Sequence, residues 1–289
     1  MVADSGLTIR PRVPRARNPF RALPAVLLFG AATTACTHLP ARERGLPIRV
    51  MTYNIRSGNG DLARVAAIIR GFSPDLVGLQ EVDVHWGERS AFADQARLLG
   101  EMLHMSVRFA PIYTLSGADS TKPVRQFGVA LLSKYAVSEW KNDTLTRLST
   151  QVQNPVPAPA PGLLEATIDV EGTAVRVFNT HLDYRADPAV RKQQVAEMVA
   201  QISASPGPML VLGDMNAGPE APELEPLLKR LRDSWQTKTD PGFTYPADKP
   251  AKRIDYVLTS NHFLVRAASV PATEASDHRP VLVDLLLIR

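Results

Sequence analysis

The sequence holds a single cysteine, Cys36, in 289 residues. One thiol cannot form an intramolecular disulfide, and it cannot supply a metal site that needs several thiolates. Long hydrophobic runs are missing too: the apolar stretch Ala22 to Ala35 is too short to span a bilayer comfortably. No fixed-period repeat is visible, which excludes an array of stacked units. The body of the chain also has no charge excess. The pI of about 9.3 comes from Arg10, Arg12, Arg15, Arg17 and Arg21, set against Asp4; residues 36–289 therefore carry 33 − 5 = 28 basic and 29 − 1 = 28 acidic groups. A neutral body argues against a surface that is basic overall and made for nucleic acid, while leaving room for a local patch.

What the N-terminus does have is an arginine-rich region followed by that short apolar stretch, the pattern of a signal peptide over residues 1–35. Cys36 directly follows Thr33-Thr34-Ala35 and resembles a bacterial lipoprotein processing site, although Thr33 stands where leucine is usual. The expectation is an exported chain held at a membrane surface through lipidated Cys36. Ordinary cleavage nearby and a retained anchor are the alternatives. Residues 36–47 read as a polar, proline-bounded tether, and residues 48–289 as one domain.

Within that domain, 45% hydrophobic content is enough for a full core. Short apolar runs alternate with amphipathic stretches. Strands are expected at Ile48 to Asn54, Leu76 to Leu79, Val107 to Ile112, Phe127 to Ser133, Val137 to Leu145, Leu163 to Val170, Ala174 to Leu182, Met209 to Leu212, Arg253 to Leu258 and Val281 to Leu287. Asp61 can cap a helix with Leu62, Val65, Ala66 and Ile69 on one face; Phe92 to Met102, Asp187 to Ile202 and a proline-interrupted Glu220 to Leu231 are the other helices. Asn154 to Gly162 (NPVPAPAPG) is expected to be an exposed extended loop, because proline has no amide proton to give a sheet. The expected fold is α/β: a four-layer α/β/β/α sandwich of two mainly antiparallel sheets packed face to face with helices outside.

Polar residues collect where these strands end: Asn54, Glu81, His181 with Asp183, Asp214 with Asn216, Asp255, and Asp277 with His278. Carboxylates, carboxamides and imidazoles without thiols suit a hard cation such as Mg²⁺ or Mn²⁺, with phosphate oxygens completing its shell. Metal-assisted phosphoester hydrolysis needs a cation, a group that activates water and donors for the developing charge, and all three types are present.

Tyr53-Asn54-Ile55, Leu79-Gln80-Glu81-Val82-Asp83, Asn179-Thr180-His181-Leu182-Asp183, Gly213-Asp214-Met215-Asn216, Arg253-Ile254-Asp255-Tyr256 and Ser276-Asp277-His278-Arg279-Pro280 resemble, in order, the motifs of the endonuclease/exonuclease/phosphatase superfamily. Arg89-Ser90, Asp94-Gln95 and Phe243 to Pro246 resemble its bacterial exported branch. The resemblance implies Glu81 as principal metal ligand, with Asn54 and Asp277 on the metal side. It implies Asp214 as the group that aligns or deprotonates the attacking water, with His278 as the alternative base, and Asn216 as the residue that fixes that group or ligates metal. It implies His181 and His278 as donors to phosphate oxygens, and Asp255 as the residue that orients His278. Arg89 is expected to brace the sheet end through an ion pair, with a phosphate contact as the alternative, and His85, His104 and His262 to have surface or structural roles. Similar exported members carry Arg-Gly before the strand at Leu163; Pro161-Gly162 stands here, so a rim contact is expected to be lost.

The function expected is an exported, monomeric, metal-dependent phosphodiesterase or phosphatase acting on a small or lipid-derived phosphate ester. The alternatives are an extracellular DNase-like endonuclease and a membrane-anchored binding module that has lost catalysis.

Overall fold

A computed structural model describes residues 45–117, 119–204 and 206–288. The expected signal peptide, Cys36 and all of the tether up to residue 44 lie outside the described residues. Gly45 to Pro47, the end of the expected tether, belong instead to the first strand, where they pair with Leu286 to Ile288.

In chain order the first half comprises β1 (Gly45–Asn54), α1 (Leu62–Phe72), β2 (Leu76–Val84), α2 (Gln95–Leu103), β3 (Ser106–Leu115) and β4 (Arg125–Ser133). The second comprises β5 (Ala136–Arg147), β6 (Ala158–Val170), β7 (Thr173–His181), α3 (Ala189–Ser203), β8 (Met209–Asp214), α4 (Glu225–Arg230), β9 (Arg232–Asp233), β10 (Asp255–Thr259), β11 (Phe263–Ser269) and β12 (Val281–Ile288). Two six-stranded sheets result, ordered β11-β12-β1-β2-β4-β3 and β5-β6-β7-β8-β10-β9. Each is antiparallel except for one interior pair, β1 with β2 and β7 with β8. Those two parallel pairs are the ones bridged by a helix, as parallel connections require.

Three apolar clusters define the layers. The central one interleaves Val50, Val129 and Leu131 of the first sheet with Ile168, Val177 and Leu210 of the second. The outer two bury Val65, Ile69 and Leu99 of α1 and α2 against the first sheet, and Val195, Met198 and Leu227 of α3 and α4 against the second. Helix, sheet, sheet, helix is thus the observed order of layers, as expected. Helix α1 starts where Asp61 accepts the Arg64 amide proton at 2.9 Å, and Val65, Ala66 and Ile69 are its buried positions. In contrast, Phe92 lies outside α2 and is 51% exposed, because the helix begins only after the Asp94 cap.

The proline segment departs from its expected loop. Ala158 to Pro161 pairs with Thr144 to Arg147 as the start of β6. β7 pairs with β6 only from Leu163 onward, so this stretch has one open edge. Pro159 and Pro161, two residues apart, place their missing donors on one side, and an edge strand tolerates that. Strands β9 and β11 were not foreseen either. β9 is two residues long, and β11 carries a register break between Val265 and Ala267 that interrupts its alternation.

A buried polar link joins the two sheets beside the bulge of β2. Gln80 donates to Asn179 Oδ1 at 2.7 Å, and Asn179 donates to the carbonyls of Leu79 and Ala130, both at 2.9 Å. Asn179 thereby ties β7 to the bulged part of β2 immediately before Glu81.

Candidate active site

Because β1 and β2 run parallel, as do β7 and β8, four side chains leave the carboxyl ends of neighbouring strands: Asn54, Glu81, His181 and Asp214. That is where open α/β sheets place ligands. Asp255 opens β10 opposite Asp214, and Asp277-His278 lie just before β12. Two local features aim these groups. A bulge between Leu79 and Val82, with Glu81 at φ 55°, re-aims the Glu81 carboxylate. Gly213, at φ 152°, lies so close to β7 that an added Cβ would meet the Thr180 carbonyl oxygen at 2.3 Å; only glycine lets Asp214 emerge there.

Asp214 is the hub. It is 1% exposed, and its Oδ2 accepts the Asn54 amide at 3.0 Å while His181 Nε2 and His278 Nε2 stand 3.5 and 3.7 Å away. Its Oδ1 accepts the backbone N–H of Asn216 at 2.9 Å, and the Asn216 side chain donates to the Leu182 carbonyl at 3.0 Å. Asn54 also donates to Glu81 at 3.1 Å, so one buried amide joins two carboxylates. His278 Nδ1 lies 2.9 Å from Asp255 Oδ2. Ser276 holds this corner by donating to the Asn54 carbonyl at 2.7 Å. Asp277 is paired with Arg56 at 3.5 Å. All eight residues singled out by the sequence thus fall in one site.

Electrostatics divide them. Burial, reinforced by the charge of Asp255, raises the Asp214 carboxyl above the usual carboxylate range, against the opposing pull of His181, His278 and Asn54. Burial works to strip the charge from His278. The carboxylates of Asp255, Asp214 and Asp277 outweigh it and push the imidazole up to about 10. His278 is therefore an imidazolium at neutral pH, held in orientation by Asp255.

The donor set fits a hard divalent cation. Glu81, Asp214, Asp255 and Asp277 bring four carboxylates together; among the described residues the basic groups that meet them are Arg56 at Asp277 and the imidazoles of His181 and His278 at Asp214 and Asp255. Asp255 Oδ1 is buried without a protein partner. The excess of negative charge calls for a cation, and oxygen donors select a hard one. Asp214, Asp255 and His278 also present ligand atoms within 4.8 Å of one another. Within that trio His278 Nδ1 is committed to Asp255; of the oxygen-bearing side chains outside it, Glu81 lines the adjoining cleft.

Beside the site opens a cleft of about 420 Å³, lined among others by Glu81, His181, Trp86, Tyr113, Phe127 and Arg147. Tyr113 and Phe127 stack with centroids 6.2 Å apart, and Trp86 tilts against both. Asp83 accepts two hydrogen bonds from Arg89, at 2.9 and 2.8 Å, and Arg89 covers the Trp86 and Phe127 rings; it braces the sheet end, as expected. Asp183 is held likewise by an ion pair with Arg185. His85, His104 and His262 lie apart from the site: His85 bonds the Phe92 carbonyl, His104 ends α2 and His262 contacts Ser260. The aromatic wall and Arg147 escaped sequence reasoning, because cross-strand register alone brings them beside Glu81. Arg147 reaches the Pro161 and Gly162 carbonyls from β5, so a guanidinium from another strand lies beside the Pro161-Gly162 step.

Comparison with known proteins places this arrangement. The chain is 28% identical over 156 residues to a UPF0294 protein of Vibrio vulnificus; the match covers 51% of this chain and only about half, 52%, of that protein. A crystal structure of an endonuclease/exonuclease/phosphatase from Beutenbergia cavernae superposes with a TM-score of 0.67 at 25% identity, covering 84% of this chain and 72% of the other. A mannosyl-6-phosphatase of Bacteroides thetaiotaomicron shares the fold at a TM-score of 0.61 and 19% identity, covering 82% of this chain and 99% of that one. Residues 51–278, a span that takes in every motif from β1 to His278, match the model of the endonuclease/exonuclease/phosphatase family, and the chain belongs to that family.

Proposed function

We propose that the chain is an exported phosphoesterase, dependent on Mg²⁺ or Mn²⁺, that hydrolyses a small phosphate ester by attack of water. The observation that carries this reading is the surroundings of Asp214 Oδ2: one buried carboxylate oxygen faced by the Asn54 amide and two imidazole Nε2 atoms. Glu81 is the principal residue to hold the ion, with Asn54 and Asp277 beside it. The bound ion would neutralise phosphate charge and polarise the phosphoryl group.

The chain's own groups supply the rest. Asp214, whose carboxyl is raised, accepts a proton from the attacking water. The water oxygen bonds to phosphorus as the ester P–O bond breaks, and the departing alkoxide takes a proton from solvent in the open cleft to leave as the alcohol. His278 already carries its proton, which favours Asp214 over His278 as base and makes His278 a donor to a phosphate oxygen. Asp255 keeps that imidazolium oriented, His181 donates from the other side, and Asn216 fixes the Asp214 carboxylate.

The mannosyl-6-phosphatase name of one fold neighbour agrees with a phosphoester substrate. A polynucleotide is the less favoured ligand, because Arg89 and Arg185 at the cleft are already paired with Asp83 and Asp183, so the cleft offers no row of free cations. The retained set of converging side chains speaks against a binding module without catalysis. Export and anchoring rest on the N-terminal pattern alone: Cys36→Ser should release the protein from membranes, and unchanged partitioning would count against the lipid anchor. No helix among the described residues is long and apolar enough to cross a membrane. The deciding assay is hydrolysis of p-nitrophenyl phosphate, its bis ester and plasmid DNA with Mg²⁺ or Mn²⁺. Turnover of the esters that vanishes with chelator is expected; turnover undiminished by thorough chelation, or none with any substrate, would overturn the reading.

A further inference from the structure

One charge in the cleft is unbalanced. Arg147, at the end of β5, is 8% exposed and lines the cleft together with Glu81 and His181. Its Nε donates to the Pro161 carbonyl at 2.8 Å, Nη1 to the His181 carbonyl at 2.9 Å and Nη2 to the Gly162 carbonyl at 3.0 Å. Among the described residues no carboxylate comes within ion-pair reach of it. The groups nearest in influence are the Tyr113 phenol and two carboxylates committed elsewhere: Asp183 to Arg185, and Glu197 to the amide and hydroxyl of Thr146 at 2.6 Å each. Burial pulls the guanidinium down to about 10, which leaves it fully charged at neutral pH. The other arginines of the cleft differ in this respect, each having its own aspartate.

The surrounding backbone is shaped to hold this group. Gly162, at φ 120°, is the bulged residue of β6 and turns its carbonyl to Arg147; an added Cβ there would stand 2.7 Å from Nη2. Three carbonyls occupy one N–H each and fix the plane of the fork, while the second N–H on each terminal nitrogen stays uncommitted. A buried charge fixed by dipoles alone is stabilised by an anion arriving from the cleft, and an oxyanion bridging two guanidinium N–H groups is the matching partner.

We infer that Arg147 recognises a second, non-reacting anionic group of the substrate, a carboxylate or a phosphate, so that the cleft selects small phosphate esters that bear two anionic groups. The inference rests on the phosphoester reading above and narrows its substrate class.

Equilibrium binding to the full-length protein in Mg²⁺ tests it apart from turnover, with the phosphoserine and phosphoethanolamine titrations made on an Asp214→Asn background that lacks the water-activating carboxylate. Two probe pairs differ by one anion: phosphoserine against phosphoethanolamine adds a carboxylate, and pyrophosphate against orthophosphate adds a phosphate. With Arg147 in place, the protein should bind the doubly anionic member of at least one pair about tenfold more tightly, as a charge-assisted hydrogen-bonded contact warrants. Arg147→Met should abolish that preference while leaving the singly anionic probe unchanged, and Arg147→Lys should keep part of it. The pair that shows the preference identifies the anion. The guanidinium resonance absent from the Arg147→Lys spectrum should shift with the preferred probe only; this readout stands even if Arg147→Met fails to fold. Equal affinity within both pairs, equal weakening of every probe by Arg147→Met, or an unmoved resonance would overturn the inference. Ester turnover without binding preference would sink this inference alone; absence of turnover would sink the phosphoester reading.

Discussion

His278 Nδ1 lies 2.9 Å from Asp255 Oδ2, with both side chains buried, and Nε2 of the same ring stands 3.7 Å from Asp214. An imidazole between two carboxylates keeps its proton although burial opposes it. NMR titration of the metal-free protein should therefore show the His278 ring protons unmoved through neutral pH and shifting only near pH 10. Asp255→Asn should bring that midpoint down toward the ordinary value of about 6.5. The folded pKa lies above the unfolded one, so the stability it contributes is complete below about pH 6.5 and is lost as the pH rises toward 10. Urea denaturation across that window should show the decline in wild type and a flatter profile in Asp255→Asn. An unperturbed His278 midpoint in wild type would contradict the arrangement.

Much of this site was legible because its residues sit at ends of buried strands. Met209 to Leu212 is a fully buried run that stops at Gly213-Asp214, and the pairing with β7 shows why glycine must come first. Asp61 announced its helix by position alone. Legibility failed where meaning depends on register between distant strands. Arg147 lies two residues beyond the strand expected to end at Leu145; β5 in fact runs on to it, pairing it with Ala158, and its guanidinium then reaches back to the Pro161 and Gly162 carbonyls. Pro159 and Pro161 read as a loop until the shorter β7 leaves them an open edge. The break between Val265 and Ala267 hid β11 in the same way.

Asn54 donates to Glu81 at 3.1 Å and to Asp214 at 3.0 Å, holding the group assigned to the ion and the group assigned to water in one geometry. Asn54→Ala removes both donors without adding charge. Steady-state kinetics should show kcat lowered roughly 10- to 100-fold, as for loss of a residue that orients ligands, and a weaker apparent affinity for Mg²⁺. Asn54→Asp should be worse for folding, since it sets a third carboxylate against two. Unchanged kcat in Asn54→Ala would separate Glu81 from Asp214 functionally.

Asn179 joins the sheets through Gln80 and the Leu79 and Ala130 carbonyls. Asn179→Ala leaves the Leu79 and Ala130 carbonyls short of a partner at ~1–3 kcal/mol each, while Gln80 keeps its bond to Thr52, so chemical denaturation should report a loss of about 2–6 kcal/mol. Because this link braces the bulge preceding Glu81, kcat of the folded fraction should fall as well. Loss of stability with full activity would show that the bulge holds Glu81 unaided.

Removal of the ion should be felt in folding as well as in turnover. The carboxylates of Glu81, Asp214, Asp255 and Asp277 repel one another in the chelated protein, and an ion bound only by the folded state stabilises it by mass action, about 2.7 kcal/mol at a hundredfold excess over Kd. Thermal denaturation with Mg²⁺ or Mn²⁺ should therefore show a rise in Tm that chelator reverses. Glu81→Ala should abolish the rise because it deletes the principal oxygen donor, whereas His181→Ala should keep the rise and lose turnover. The same ion adds positive charge beside His278, so its ring should release its proton at lower pH in the loaded protein than in the chelated one. A Tm insensitive to both ions in wild type would remove the carboxylate cluster as their site.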